Sequence, residues 1–278
     1  MRILTLALIA AVFASVGCQK SDQTQVDEAL QDHPFFKALG AIPEPGDSYT
    51  GRGDADGDTS VPVKAWREVS APGIDYVITV QKPYAEVSFD ITWPCTLYVV
   101  YTDLPDTAIR DTVLKPAPRI KGEMEARFEF KGSRWELTEL SPCDAKFDSG
   151  AGRIEIESVQ VSVRRGDSLV PYPTLAGINR LILDPYAYTF KAGDSVNLRL
   201  WERDDVAFSW TYLHGPHADH YSPFAYDTLD GSWYGTWVTM TAGSHWVWFE
   251  TVDLYDAIVS KTGPDRAVLW GLPYIVEP

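Results

Sequence analysis

Cysteine, methionine and cationic side chains are scarce in this chain, and familiar catalytic motifs are missing. Its 278 residues include three cysteines and three methionines, and 24 lysines and arginines stand against 39 aspartates and glutamates, a net charge of −15. So acidic a surface repels phosphate backbones, which argues against nucleic acid as a partner. The sequence contains no Gly-x-Ser-x-Gly elbow, His-Glu-x-x-His pair, phosphate loop or dinucleotide fingerprint. These absences favour binding or scaffolding over catalysis.

The N-terminal apolar run is too short to span a membrane and has the layout of a secretory signal. Arg2 gives a positive start, residues 3–13 are apolar except for Thr5, and small residues lead to Cys18. A bilayer core about 30 Å thick needs a longer apolar helix. We therefore expect export.

The cysteine that directly follows these small residues resembles the lipobox of bacterial lipoproteins. The resemblance implies that residues 1–17 are removed as a signal peptide and that Cys18 becomes a lipidated N-terminus; plain secretion is the alternative. Gln19 after the cysteine is similar to outer-membrane lipoproteins, where there is an outer membrane.

An exported protein can keep a disulfide, and with Cys18 committed to lipid two cysteines remain. Cys95 and Cys143 are therefore a candidate bridge, which would close a loop of about 48 residues and contribute roughly 3–4 kcal/mol. The alternative is that both are buried thiols.

Composition divides the chain into successive segments. The expected organisation is a signal peptide at 1–17, a lipidated cysteine and tether at 18–25, an α+β domain at 26–143, a Gly-rich linker at 144–152 and a β-sandwich at 153–278.

In the N-terminal domain, an apolar stripe over 26–39 predicts a helix that Pro34 interrupts. From 85 to 101 every odd position is apolar or Cys, which predicts a strand bent at Pro94 or lying at a sheet edge. A second alternating run at 123–130 and the segment 134–140 predict a hairpin.

One helix followed by long, bent antiparallel strands is similar to the NTF2-like cone fold, and 134–142 resembles its last strand. The resemblance covers 26–142 and implies a cavity for a small ligand. A generic α+β meander is the alternative.

The C-terminal half predicts about eight short strands separated by turn signals, which favours a β-sandwich. Residues 192–196, Ala-Gly-Asp-Ser-Val, resemble the opening of a strand in bacterial Ig-like and fibronectin-like modules. The expected fold class is therefore mainly β, with the α+β domain followed by an Ig-like sandwich.

Three histidines and an aspartate within 214–220 could ligate Zn²⁺. They are His214, His217, Asp219 and His220. The alternative is an exposed polar loop between strands, because the spacing alone fixes no tetrahedral geometry.

Alternating aspartates at Asp54, Asp56 and Asp58 are similar to the start of a Ca²⁺ loop. The glycine is fourth instead of sixth, and Ala65 takes the twelfth position, where such loops need Glu. A solvated acidic turn is the alternative.

Tryptophans at 233, 237, 246 and 248 lie in adjacent candidate strands. If exposed, Trp233, Trp237, Trp246 and Trp248 would form a stacking platform for a glycan; if buried, they are core. Apolar residues alternate with Trp246 and Trp248, so one of the two sets must face away from the local core.

Together these patterns predict a cell-envelope lipoprotein, anchored in the membrane by its lipid, that acts as a non-enzymatic binding or scaffolding protein. An envelope protein or a glycan is the expected partner, and no cofactor is expected unless Zn²⁺ or Ca²⁺ binds the loops above. The alternatives are a glycan-binding module and a metal-dependent hydrolase centred on His214, His217 and His220.

Overall fold

Regular structure in this chain is mainly β-strand, as the sequence predicts. The computed structural model describes residues 20–39, 60–69, 71–103, 109–116, 119–147, 154–176, 184–203, 209–214, 221–253 and 267–278. Within these ranges the elements are α1 (Asp22–Asp32), α2 (Pro34–Ala38), β1 (Ser60–Val69), β2 (Gly73–Gln81), β3 (Tyr84–Trp93), β4 (Cys95–Asp103), β5 (Ile109–Pro116), β6 (Ile120–Lys131), β7 (Arg134–Leu140), β8 (Cys143–Phe147), β9 (Glu155–Arg165), β10 (Ser168–Pro171), β11 (Leu175–Ala176), β12 (Thr189–Lys191), β13 (Ser195–Arg203), β14 (Ser209–His214), β15 (Tyr221–Pro223), β16 (Ala225–Asp227), β17 (Ser232–Val238), β18 (Gly243–Asp253) and β19 (Ala267–Glu277).

The strands form three sheets. A ten-stranded sheet has the order β15-β14-β18-β19-β8-β6-β3-β2, with β12 beside β19 and β7 beside β6. A six-stranded sheet runs β10-β9-β13-β17-β16, with β11 on β9, and a three-stranded sheet runs β1-β4-β5.

The two helices begin and end at residues that satisfy their free backbone groups. The Ser21 side chain accepts a hydrogen bond from the Thr24 N–H (3.2 Å) at the start of α1. Pro34 begins α2, and Nδ1 of His33 accepts the Phe35 N–H (3.4 Å). Pro34 therefore divides the predicted helix, because proline fits the first turn of a helix and not its interior.

The helices lie on the ten-stranded sheet through an apolar stripe. Their buried residues are Val26, Leu30 and Phe35, and Leu39, directly after α2, is buried with them. Residues 22–25 already form the first turn of α1, so the predicted tether at 18–25 is too long. Among the residues that the structure describes, no helix is long and apolar enough to cross a membrane.

The long alternating run at 85–101 is two strands, not one. Strand β3 ends at Trp93 in the ten-stranded sheet, and β4 begins at Cys95 in the three-stranded sheet. Pro94 separates them, since proline cannot donate to a strand ladder. The predicted inward set on β3 is buried throughout: Ala85, Val87, Phe89, Ile91 and Trp93.

The predicted hairpin is confirmed as β6 and β7. Lys131 pairs with Arg134 across a two-residue turn in which Gly132 has a φ of +68°. Glycine adopts this left-handed conformation at little cost, so the hairpin closes tightly there.

Strands β18 and β19 are covered on both faces by separate hydrophobic cores. The first core joins α1 and α2 to the ten-stranded sheet and includes Trp246 and Trp248. The second core lies between that sheet and the six-stranded sheet, and it takes Val247 and Phe249. Alternate side chains of β18 therefore enter different cores, which resolves the conflict in its sequence pattern.

The ten-stranded sheet crosses the boundary that composition predicts at 144–152. Residues 144–147 belong to β8 instead of a linker and pair with β6 on one side and β19 on the other. The remaining linker residues lie outside the described ranges, as do 178–183, a predicted strand of the sandwich.

The predicted Cys95–Cys143 disulfide is not present, because Cys143 is a free, buried thiol. Its sulfur would lie 3.0 Å from a Cβ added to Gly122, beside the Trp93 ring. Burial, and to a smaller extent the Asp144 charge, raises the pKa of Cys143. Cys95 starts a strand of a different sheet; its side chain lies outside what the structure describes.

Candidate binding face

The outer surface of the six-stranded sheet carries polar side chains at the positions that alternate with the second core. Strands β9, β13 and β17 turn their apolar residues inward: Val159, Val161, Val163, Val196, Leu198, Leu200 and Trp237 are buried. We define the binding face as the outward set, Gln160, Ser162, Asn197, Arg199, Tyr234 and Thr236, all partly or fully exposed.

Strand register places these side chains in two cross-strand rows. Asn197 on the central strand β13 lies between Ser162 on β9 and Thr236 on β17. Arg199, two residues further, lies between Gln160 and Tyr234. Directly opposed side chains in such rows are in reach of one another and of a shared ligand.

Arg199 is oriented by two aspartates at the end of the hairpin formed by β16 and β17. Its guanidinium pairs with Asp227 (Nη2 to Oδ2, 3.2 Å) and with Asp230. Asp230 also accepts hydrogen bonds from the Ser232 hydroxyl (2.6 Å) and N–H (3.1 Å). The Ser232 hydroxyl and then its N–H, with the Arg199 charge, lower the pKa of Asp230. These two ion pairs hold the Arg199 side chain over the binding face.

Two side chains of the binding face stand out: one has a polar atom without a hydrogen-bond partner among the described residues, and the other has an exposed ring. The amide nitrogen of Asn197 is buried and makes no hydrogen bond to any residue that the structure describes. The Tyr234 ring is 47% exposed beside Arg199. An aromatic ring, a guanidinium and hydroxyls together can pack against the C–H face of a sugar and bind its hydroxyl groups.

The tryptophans predicted to stack on a glycan are mostly core. Trp237, Trp246 and Trp248 are buried, and the Trp246 indole donates to the Phe35 carbonyl (2.9 Å). Trp233 is partly buried and donates to Glu202 (2.8 Å). These four residues form no exposed platform, because each strand that carries them turns the rings towards a core.

Most of the predicted metal ligands lie outside the part of the chain that the structure describes. The His214 backbone ends β14 and pairs with Tyr221, whereas His217, Asp219 and His220 lie outside the described residues. Asp54, Asp56, Asp58 and Cys18 also lie outside them. Within the described ranges, no three His, Cys, Asp or Glu side chains are grouped so that they could hold a metal ion.

Sequence reasoning missed the binding face, although the signal was present. Residues 196–200 alternate Val-Asn-Leu-Arg-Leu, which marks Asn197 and Arg199 as the outward pair of a half-buried strand. Tyr234 is the most exposed aromatic residue of β17, and the tryptophan pattern does not single it out.

Comparisons of the chain with models of known protein families, with curated proteins and with solved structures give no match.

Proposed function

We propose that this protein is an exported lipoprotein of the bacterial cell envelope, held in the membrane through Cys18, that binds or scaffolds a partner. The observation that carries the proposal is how soon folded structure follows the cysteine. Ser21, three residues after Cys18, already caps α1. A body joined so closely to a lipidated N-terminus stays at the membrane surface, where a binding protein of the envelope acts.

Replacing Cys18 with Ser tests the anchor. The variant should move from the membrane fraction to the soluble extracytoplasmic fraction, because one acyl-bearing residue supplies the attachment. Gln19→Ser is a matched control at the next position and should stay with the membrane. A Cys18→Ser protein that remains in the membrane fraction would contradict the anchor.

A glycan is the partner class that the binding face favours. Tyr234 beside Arg199 and Thr236 offers the stacking ring and hydrogen-bonding groups that a sugar needs, on the outer surface of the sheet. The candidate glycan-binding residues are therefore Tyr234 and its neighbours on the binding face, and not the tryptophans that the sequence suggests.

Tyr234→Ala tests the glycan proposal by affinity electrophoresis in gels that contain envelope polysaccharides. Loss of one aromatic stacking contact should raise the dissociation constant, read from the retardation of the protein, about three- to tenfold. Tyr84→Ala is the matched control, since Tyr84 is 48% exposed, close to the 47% of Tyr234, and lies on the ten-stranded sheet. Equal retardation of both variants and the parent protein would contradict a glycan site on this face.

A further inference from the structure

We infer that the binding face takes a neutral glycan of at least two sugar units, which packs on the rings of Tyr234 and Trp201 at the same time. The inference rests on the proposed glycan-binding function and adds to it a second aromatic residue, a minimum ligand length and a charge class. We call Trp201, Arg199 and Tyr234 together the stacking site.

Trp201 lies on the same side of the six-stranded sheet as Arg199. Buried and partly exposed residues alternate along β13 from Ser195 to Trp201, and Leu200 enters the second core. Trp201 is partly exposed, and its cross-strand neighbour on β9 is Ser158, which is also partly exposed. The strand period of two therefore places Trp201 next to Arg199 on the outer surface.

The two rings of the stacking site are too far apart to pack on one sugar. Tyr234 is directly opposite Arg199 in the β13–β17 ladder, and Trp201 is two residues further along β13. Positions related in this diagonal way lie about 7–8 Å apart. Because one pyranose ring covers one aromatic ring, a ligand that packs on both must have at least two sugar units.

Both rings are available for stacking. The Tyr234 ring is 47% exposed. Neither Tyr234 nor Trp201 stacks on another aromatic ring or makes a side-chain hydrogen bond within the part of the chain that the structure describes. Trp233, on the inner face of β17, instead donates to Glu202 and packs against Tyr226, with ring centroids 4.8 Å apart. The rings of the stacking site can therefore pack on sugar C–H groups while their polar atoms bind hydroxyl groups.

The Arg199 side chain crosses between the two rings. Its guanidinium pairs with Asp227 on β16, two strands away from β13. Asp227 is opposite Ser232, and the register of β13 and β17 brings Ser232 level with Trp201. To reach Asp227, the side chain must run diagonally between the positions of Tyr234 and Trp201. A ligand that lies on both rings therefore meets the guanidinium between them.

The charges around Arg199 favour a neutral ligand. Asp227 and Asp230 both pair with the guanidinium, so one positive charge stands against two negative ones. The cross-strand neighbours of Arg199, Gln160 and Tyr234, are uncharged. A uronate or phosphate would therefore meet net negative charge. The hydroxyl groups of a neutral sugar can instead bind the N–H donors that the two ion pairs leave unused, and the carboxylate oxygens.

Binding to an array of bacterial envelope glycans tests the length and the charge class. The array holds neutral and anionic members, each as a single sugar and as longer chains, and it is probed with the full mature chain. We expect the bound glycans to be neutral, and single sugars to bind about three- to tenfold more weakly than chains of two or more units, because they contact one ring. A preference for anionic glycans, or equal binding of single sugars and longer chains, would overturn the inference.

Substitution of Trp201 isolates the second ring. Trp201→Ala should raise the dissociation constant of a bound oligosaccharide about three- to tenfold and remove its advantage over the single sugar. Trp201→Phe keeps an aromatic ring and should preserve most of the affinity, and Tyr84→Ala, on the other sheet, should preserve all of it. Urea midpoints equal to that of the parent protein show that the variants fold. Unchanged affinity in Trp201→Ala would overturn the inference.

Removal of the two carboxylates tests the charge class independently. Asp227→Asn with Asp230→Asn keeps a carbonyl oxygen at each position and leaves Arg199 as an uncompensated cation. Anionic glycans should then bind, because a guanidinium pairs with carboxylates and phosphates. Asp75→Asn with Asp90→Asn is an equal change of charge on the ten-stranded sheet and should admit none. Continued rejection of anionic glycans by the first pair would overturn the inference.

The outcomes separate the inference from the proposed function. A parent protein that retains no glycan overturns the glycan-binding face and the inference together. Glycan binding that depends on Tyr234 but not on Trp201 overturns the inference alone.

Discussion

Gly122 and Gly271 lie beneath tryptophan rings in the first core. A Cβ at Gly122 would come within 2.7 Å of the Trp93 ring, and a Cβ at Gly271 within 2.7 Å of the Trp248 ring. The two indoles meet edge to face, with centroids 5.6 Å apart. Each glycine therefore provides the space for a large ring, and together the glycines of β6 and β19 make room for the aromatic pair that β3 and β18 carry.

Gly122→Ala should destabilise the protein by about 1–3 kcal/mol, because the added methyl overpacks a buried ring and the Cys143 sulfur. Urea unfolding measures the change. Gly73→Ala is the matched control: it lies in the same sheet, its nearest neighbour is the Thr92 carbonyl at 4.0 Å, and its stability should change little. Equal losses in both variants would contradict the packing explanation.

At the scale of elements, the junction of α1 and α2 depends on a neutral histidine. His33 caps α2 through Nδ1 and stacks on Phe35, with ring centroids 5.5 Å apart. Burial lowers its pKa from 6.5. The folded state then binds fewer protons than the unfolded state just below pH 6.5, so this contribution to stability is complete above pH 6.5 and is lost as the pH falls through the folded-state pKa.

His33→Asn keeps a side chain that can cap a helix and removes the titrating group. The wild-type protein should lose more stability than the variant when the pH falls from 7.5 to 5, as measured by urea midpoints at both pH values. Parallel losses in the two proteins would show that His33 does not control this part of the pH dependence.

Sequence patterns predicted elements well where one face of the element is buried. The alternation at 85–93 and the stripe at Val26 and Leu30 each match a surface packed on the first core. The same reasoning failed where the environment is non-local. Trp246 and Trp248 belong to a strand buried on both faces, and 144–147 look like a linker until β19, far later in the chain, pairs with them. The outward residues of β13 can be identified as a candidate site only from the second core, which shows which face of β13 is buried.

For the whole molecule, the central feature is a sheet that the two predicted domains share. Strands β6, β3 and β2 come from the first, β14, β15, β18 and β19 come from the second, and β8 comes almost entirely from the segment predicted as the linker. Trp246, Trp248 and Leu269 contribute to the first core from late in the chain. Neither half retains a complete core when it is separated from the other.

The two halves should therefore unfold together. Native-state hydrogen exchange is expected to give similar opening free energies for the most protected amides of β3, in the first core, and of β13, in the second. Urea unfolding should be a single transition with coincident fluorescence and circular dichroism curves. Two separated transitions would instead support the independent domains that composition predicts.

The proposed role depends most directly on the chemistry of the mature N-terminus. We would determine the mass of the N-terminal peptide of the protein expressed in a bacterial host with its signal intact. The expected result is a peptide that begins at Cys18 and carries acyl chains. An unacylated peptide, beginning at Met1 or at a residue other than Cys18, would contradict a lipid-anchored envelope protein.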